Sequence, residues 1–133
     1  MSNLERRSGA FPLAFACYNR DPEVRRESTS GGVFTLLGKY VIERYGGAVA
    51  GAAFDGGYHV EHVIVESVEA LGRLRGSKYS QSAAAGVYPA VGRLLDEGRT
   101  VLFTGTPCQV RALLNYLGGK PEALWCMDFV CHG

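Results

Sequence analysis

A surplus of charge of one sign is missing: 14 Lys plus Arg face 13 Asp plus Glu in 133 residues, a formal net charge of +1. That balance provides no electrostatic footprint for nucleic acid or an anionic membrane surface. Long apolar runs are missing too. None approaches the roughly 20 residues of a spanning helix, and the opening "MSNLERRSGAF" has no signal-peptide core. The expectation is a soluble, cytoplasmic protein with no membrane insertion and no nucleic-acid partner. Cysteine is sparse, with Cys17, Cys108, Cys126 and Cys131 and no CxxC pair. A disulfide scaffold and a thioredoxin-type site are excluded, and free thiols are the default. A tyrosine-phosphatase loop is excluded because Leu114 stands six residues after Cys108, where an arginine is required. No Walker A loop, Ser/His/Asp order, paired carboxylates or internal repeat stands out.

Glycine, by contrast, is abundant, with 18 residues clustering at apparent turns. "LAFACYN" (Leu13–Asn19) reads as a short strand, and "RDPEVRRESTSGG" as a charged, then small-residue loop. Val33, Leu36, Leu37, Tyr40 and Val41 mark one face of a helix that ends at Gly46-Gly47. "AVAGAAF", the turn "DGG" and "YHVEHVIVE" predict a hairpin. Ser67 opens a short helix that stops near Gly76. "SKYSQS" is a polar loop, and Val87, Val91, Leu94 and Leu95 face one side of a further helix. "TVLFTG", the stripe Leu113, Leu114 and Leu117, and "ALWCMDFV" then read as strand, helix, strand. Such a unit pairs its strands in parallel with a right-handed crossover. The fold expected is α/β: a mixed sheet flanked by helices, with a C-terminal βαβ unit.

In open α/β sheets ligands gather at the carboxyl ends of the strands, and Cys108 and Cys131 both follow such ends. Around Cys108, Thr106 caps the helix, Pro107 fits its first position and Gln109 completes a capping box. The first-turn N–H groups favour an anion, and a thiolate is what a metal or an electrophile requires. A buried structural cysteine is the alternative for Cys108. The neighbouring strand end, about 4.8 Å away, brings Cys131 toward it and suits shared iron–sulfur ligation. Cys126 lies five residues earlier, about 16 Å along an extended strand, and reads as core, as does Cys17. His132 adjoins Cys131. His59 and His62 lie on opposite faces of a strand by period 2 and are ill suited to share a metal.

Two loops precede helices. "STSGG" (Ser28–Gly32) offers hydroxyls and bare N–H groups at a helix start, which is either an anion site or an ordinary cap. "RGSKYSQS" (Arg75–Ser82) offers Lys78 to a phosphate and Tyr79 to a flat ring, or is a solvated connector.

Taken together, "STSGGVFTLL", "GGAVAGAAFD", "RGSKYSQS", "VLFTGTPCQVRALLNYL" and "MDFVCHG" resemble the coenzyme F420 hydrogenase/dehydrogenase beta-subunit family, from about Pro12 to Gly133. The resemblance implies a flavin and iron–sulfur oxidoreductase subunit. It would pass electrons between a 4Fe–4S cluster, FAD and a hydride acceptor such as the deazaflavin coenzyme F420. By motif, Ser30, Gly31 and Gly32 correspond to flavin-side residues. Ser77, Lys78, Tyr79 and Ser82 correspond to contacts to the flavin or its phosphates. Gly105 and Thr106, with Pro107, shape the cofactor loop, and Cys108 and Cys131 correspond to cluster ligands. The implied partners are a redox protein or ferredoxin module and a small hydride-accepting cofactor or substrate. By the same resemblance, many bacterial relatives begin with a ferredoxin-like CxxCxxCxxxC module, and family members continue past "CHG". Residues 1–133 are therefore expected to be one partial domain, its cluster incomplete without further ligands. The contrasting expectation is a non-catalytic binding or scaffold fragment that keeps the fold without redox centres.

Overall fold

The computed structural model describes residues 12–131. The start of the chain, His132 and Gly133 lie outside them. In order, the elements are α1 (Pro22–Arg26), α2 (Val33–Tyr45), β1 (Ala48–Phe54), β2 (Val60–Val65), α3 (Tyr88–Asp96), β3 (Val101–Gly105), α4 (Pro107–Leu117) and β4 (Leu124–Asp128). Two 3₁₀ turns, Glu69–Leu74 and Ala85–Val87, lie between β2 and α3.

The four strands form one sheet in the order β2-β1-β3-β4. β1 and β2 pair antiparallel as a hairpin, β1 and β3 pair parallel, and β3 and β4 pair parallel across α4. This is the mixed α/β sheet with a C-terminal βαβ unit that the alternating hydrophobic periods predict. Side chains alternate across the sheet because the strand period is two. Val49, Ala53, Val65 and Leu102 face α2 and the first 3₁₀ turn, where Val41, Leu71 and Leu74 cover them. Ala50, Val101, Phe103 and Leu124 face α3 and α4, under Val91, Val110 and Leu113. At Gly47 the entry into β1 is too tight for a side chain, since a Cβ there would sit 2.5 Å from the Thr100 carbonyl oxygen.

Three expectations are corrected. Leu13–Asn19 is not a strand. Leu13, Phe15 and Tyr18 are exposed, and the segment is tied instead to the loop before α2 by a bond from Asn19 N–H to the Gly31 carbonyl (2.7 Å). An apolar run becomes a strand only where a sheet edge accepts it. Cys17, in that segment, is exposed rather than core. The stretch after Ser67 is 3₁₀ rather than α-helical, with Ser67 Oγ accepting from the Ala70 N–H. One element was not anticipated: α1, inside the charged loop. Its signal is in the sequence, because Asp21 caps the Glu23 N–H (2.9 Å) and Pro22 opens the helix.

Candidate functional site

The motifs "STSGG", "RGSKYSQS" and "GTPCQ" are joined by hydrogen bonds, and buried polar side chains take part. Among the described residues, Asn19, Thr35 and His62 are the buried polar ones, and each is hydrogen-bonded, as burial of a polar group requires. Asn19 Nδ2 donates to the Gly32 carbonyl (3.3 Å). Thr35 Oγ1 accepts from Arg75 Nε (3.0 Å), and Arg75 also pairs with Glu27. The Ser77 N–H donates to Thr29 Oγ1 (2.8 Å). "STSGG" and "RGSKYSQS" are thereby one surface, although 48 residues separate Thr29 from Ser77.

Within that surface Gly32 takes the left-handed conformation (φ 73°) at the start of α2, and no side chain caps the helix. A Cβ on Gly31 would stand 3.1 Å from the Cys17 carbonyl oxygen, so a side chain there would push that backbone back by a few tenths of an ångström. Ser30 is exposed. Tyr79 is 96% exposed, so its ring is open on its faces. Lys78 is occupied. Its ammonium donates to the carbonyls of Leu74 (2.9 Å), Arg75 (3.0 Å) and Gly76 (3.2 Å), closing the end of the 3₁₀ turn. Partial burial lowers this ammonium from its ordinary value.

The far end of the loop reaches the carboxyl end of β3. Ser82 Oγ lies 2.7 Å from His62 Nδ1, and His62 Nε2 lies 2.8 Å from the Thr104 carbonyl oxygen. Since a carbonyl only accepts, Nε2 carries the hydrogen, and the Ser82 hydroxyl donates to Nδ1 of the neutral ring. The imidazole also stacks on Phe103, with centroids 5.2 Å apart and planes at 16°. Burial lowers the His62 ring from its ordinary value, with the Thr104 carbonyl acting in the opposite direction. Gln109 Nε2 donates to the Ser82 carbonyl (3.3 Å) while its Oε1 accepts from the Thr106 N–H (3.0 Å), the reciprocal half of the capping box. Gly105 lets these groups close up: a Cβ there would lie 2.8 Å from Gln109 Oε1 and 3.3 Å from His62 Nε2. Sequence reasoning weighed His62 only as a metal ligand. Its odd spacing from His59 does place the two on opposite faces, and His59 stands exposed beside Asp55 (3.4 Å).

Cys108 occupies the first turn of α4, exposed, with its sulfur 3.0 Å from Thr106 Oγ1. The register pairs Gly105 with Asp128. Cys108 and Cys131 therefore each follow a paired residue by three positions, at the same end of two parallel strands. Cys131 is exposed too. Cys126 pairs with Phe103 in mid-strand and packs against the α3/α4 core. Burial pushes its thiol up. Among the described residues no three His, Cys, Asp or Glu converge as a metal site, and no helix is long and apolar enough to cross a membrane.

No curated protein matches the chain. Its fold is similar to a chain of the F420-reducing NiFe hydrogenase complex from Methanosarcina barkeri, solved in a xenon-derivatised form. The TM-score is 0.61 and the identity 24%, over 71% of this chain and 33% of that one. This chain thus spans about a third of the solved chain, and the likeness establishes the fold. The family model described as "Coenzyme F420 hydrogenase/dehydrogenase, beta subunit N-term" matches residues 14–88, which include "STSGG", the hairpin and "RGSKYSQS". The chain therefore belongs to the coenzyme F420 hydrogenase/dehydrogenase beta-subunit family.

Proposed function

We propose that residues 1–133 are part of a flavin-dependent, iron–sulfur oxidoreductase subunit that passes electrons between a 4Fe–4S cluster, FAD and a hydride acceptor such as coenzyme F420. The observation that carries this reading is the joining of "STSGG" to "RGSKYSQS" in front of the uncapped start of α2. Uncapped first-turn N–H groups suit a phosphate. Ser30, Gly31, Gly32 and Ser77 would hold the diphosphate, and the exposed Tyr79 ring would lie against a flat ring of the cofactor. Lys78, Ser82, Gly105 and Thr106 would act on the shape of the loops, since Lys78 and Ser82 already spend their donors inside the chain. A bound flavin would supply exchange between single electrons and a hydride.

The cluster fits less well. Cys108 and Cys131 are two exposed cysteines on one rim, and a 4Fe–4S cluster takes four ligands. Further ligands, from a ferredoxin module or redox partner, are part of the proposal.

The test is the flavin itself. Purified protein, denatured to release bound ligand, should yield FAD identified by mass and absorbance, or should quench the fluorescence of added FAD. Neither release nor quenching would favour the scaffold reading.

A further inference from the structure

We propose that His62 is a positioning residue: through Ser82 it sets the loop 77–82 against the carboxyl end of β3, and the Ser82 hydroxyl serves that ring rather than a cofactor. The imidazole is 7% exposed and has both nitrogens engaged, one by a loop hydroxyl and one by a main-chain carbonyl of β3. It stacks on the fully buried Phe103, so its plane is fixed by the core rather than by the loop. The loop is then sewn to β2 immediately beyond Ser82: the His62 N–H donates to the Ala83 carbonyl (3.1 Å) and the Ala83 N–H to the Val60 carbonyl (2.9 Å). Gln109 holds the Ser82 carbonyl from the α4 side. Side chain and main chain of residue 82 are therefore held from two elements at once, and His62 is the member rooted in the core. The loop's other end is held by Thr29 at Ser77. Between these two fixed points Lys78 is tied back to the 3₁₀ turn and Tyr79 stands exposed.

Only the functional consequence rests on the flavin reading; loop order is measured without flavin. The experiment is hydrogen–deuterium exchange of the Ser77 and Ala83 amides in the full chain, comparing wild type with Ser82→Ala, His62→Gln and His62→Asn. Asparagine keeps an acceptor near the Nδ1 position for Ser82. Glutamine keeps a donor near the Nε2 position for Thr104 and loses the Ser82 contact. Loss of one hydrogen bond should speed exchange of the Ala83 amide by about three- to tenfold in Ser82→Ala and in His62→Gln. His62→Asn should keep near wild-type protection there, and the double change His62→Gln with Ser82→Ala should add nothing to either single change. Ala83 protection unchanged in Ser82→Ala would overturn the proposal. So would equal acceleration in both His62 variants, which is what a core-filling ring alone would give. FAD quenching measured on the same samples keeps the two readings apart. Weaker quenching in Ser82→Ala with Ala83 protection intact would make Ser82 a direct contact and overturn the positioning role. Absence of quenching in wild type would remove the flavin reading and leave the exchange result to stand.

Discussion

At position 78 an ammonium group with three donors meets three carbonyls, and that match makes Lys78 a structural residue of the loop. Lys78→Ala should cost about 1–2 kcal/mol in urea unfolding, because the freed carbonyls are only partly reachable by water. The exposed neighbour Arg73 should cost within about 0.5 kcal/mol when replaced by alanine. His62 sets a pH dependence. Burial holds its ring below the ordinary value, so the unfolded chain takes up a proton near about pH 6.5 that the folded chain resists. In that interval the unfolded state binds more protons, and stability rises with pH. The contribution is complete above about pH 6.5 and is lost as pH falls through the folded value. Urea midpoints measured down this range should decline, and His62→Asn should flatten the decline. Asp55 acts only in stronger acid: its carboxylate is held low by the Gly57 N–H and then by His59.

Among elements, α4 carries most of the local design that joins fold to site. Gln109 closes the capping box and holds the Ser82 carbonyl. Gln109→Ala should therefore cost about 1–2 kcal/mol, above the ordinary cost of a lost cap. The same variant should speed exchange at the Ala83 amide. The strands sort the cysteines. Cys126 lies mid-strand against the core, with its thiol pushed up by burial, while Cys17, Cys108 and Cys131 are exposed. Only the thiolate is nucleophilic, so a brief iodoacetamide pulse on folded protein should label Cys126 last, with peptide mass spectrometry as the measure. Labelling of Cys126 ahead of Cys17 would contradict this arrangement.

For the molecule as a whole, two cysteines on one rim do not complete a cluster. Anaerobic reconstitution of this chain alone should leave it short of about four irons per chain, and added ligands from a ferredoxin module should raise the count. Much of this architecture was legible in the amino-acid order. The period of 3.6 in Val33–Val41, the period of 2 in the hairpin, and the Thr106-Pro107-Gln109 cap are local signals, and short-range sterics and hydrogen bonds obey them without help from the rest of the chain. The parallel pairing of β3 and β4 followed from the short crossover between them. What only the tertiary structure decided are matters of partnership over long separations. Leu13–Asn19 had a strand's composition, yet its Asn19 N–H pairs with the Gly31 carbonyl in the loop before α2 rather than with a strand. Lys78 read as a phosphate contact or part of a solvated connector, and the 3₁₀ turn folds three carbonyls around its ammonium. His62 read as one of two mismatched metal ligands, yet Ser82, 20 residues away, and Thr104, 42 residues away, made it the joint between loop and sheet. Hydrophobic period is written into neighbouring residues; the partner of a buried polar group is chosen by the packing of elements distant in the chain, which no local pattern records.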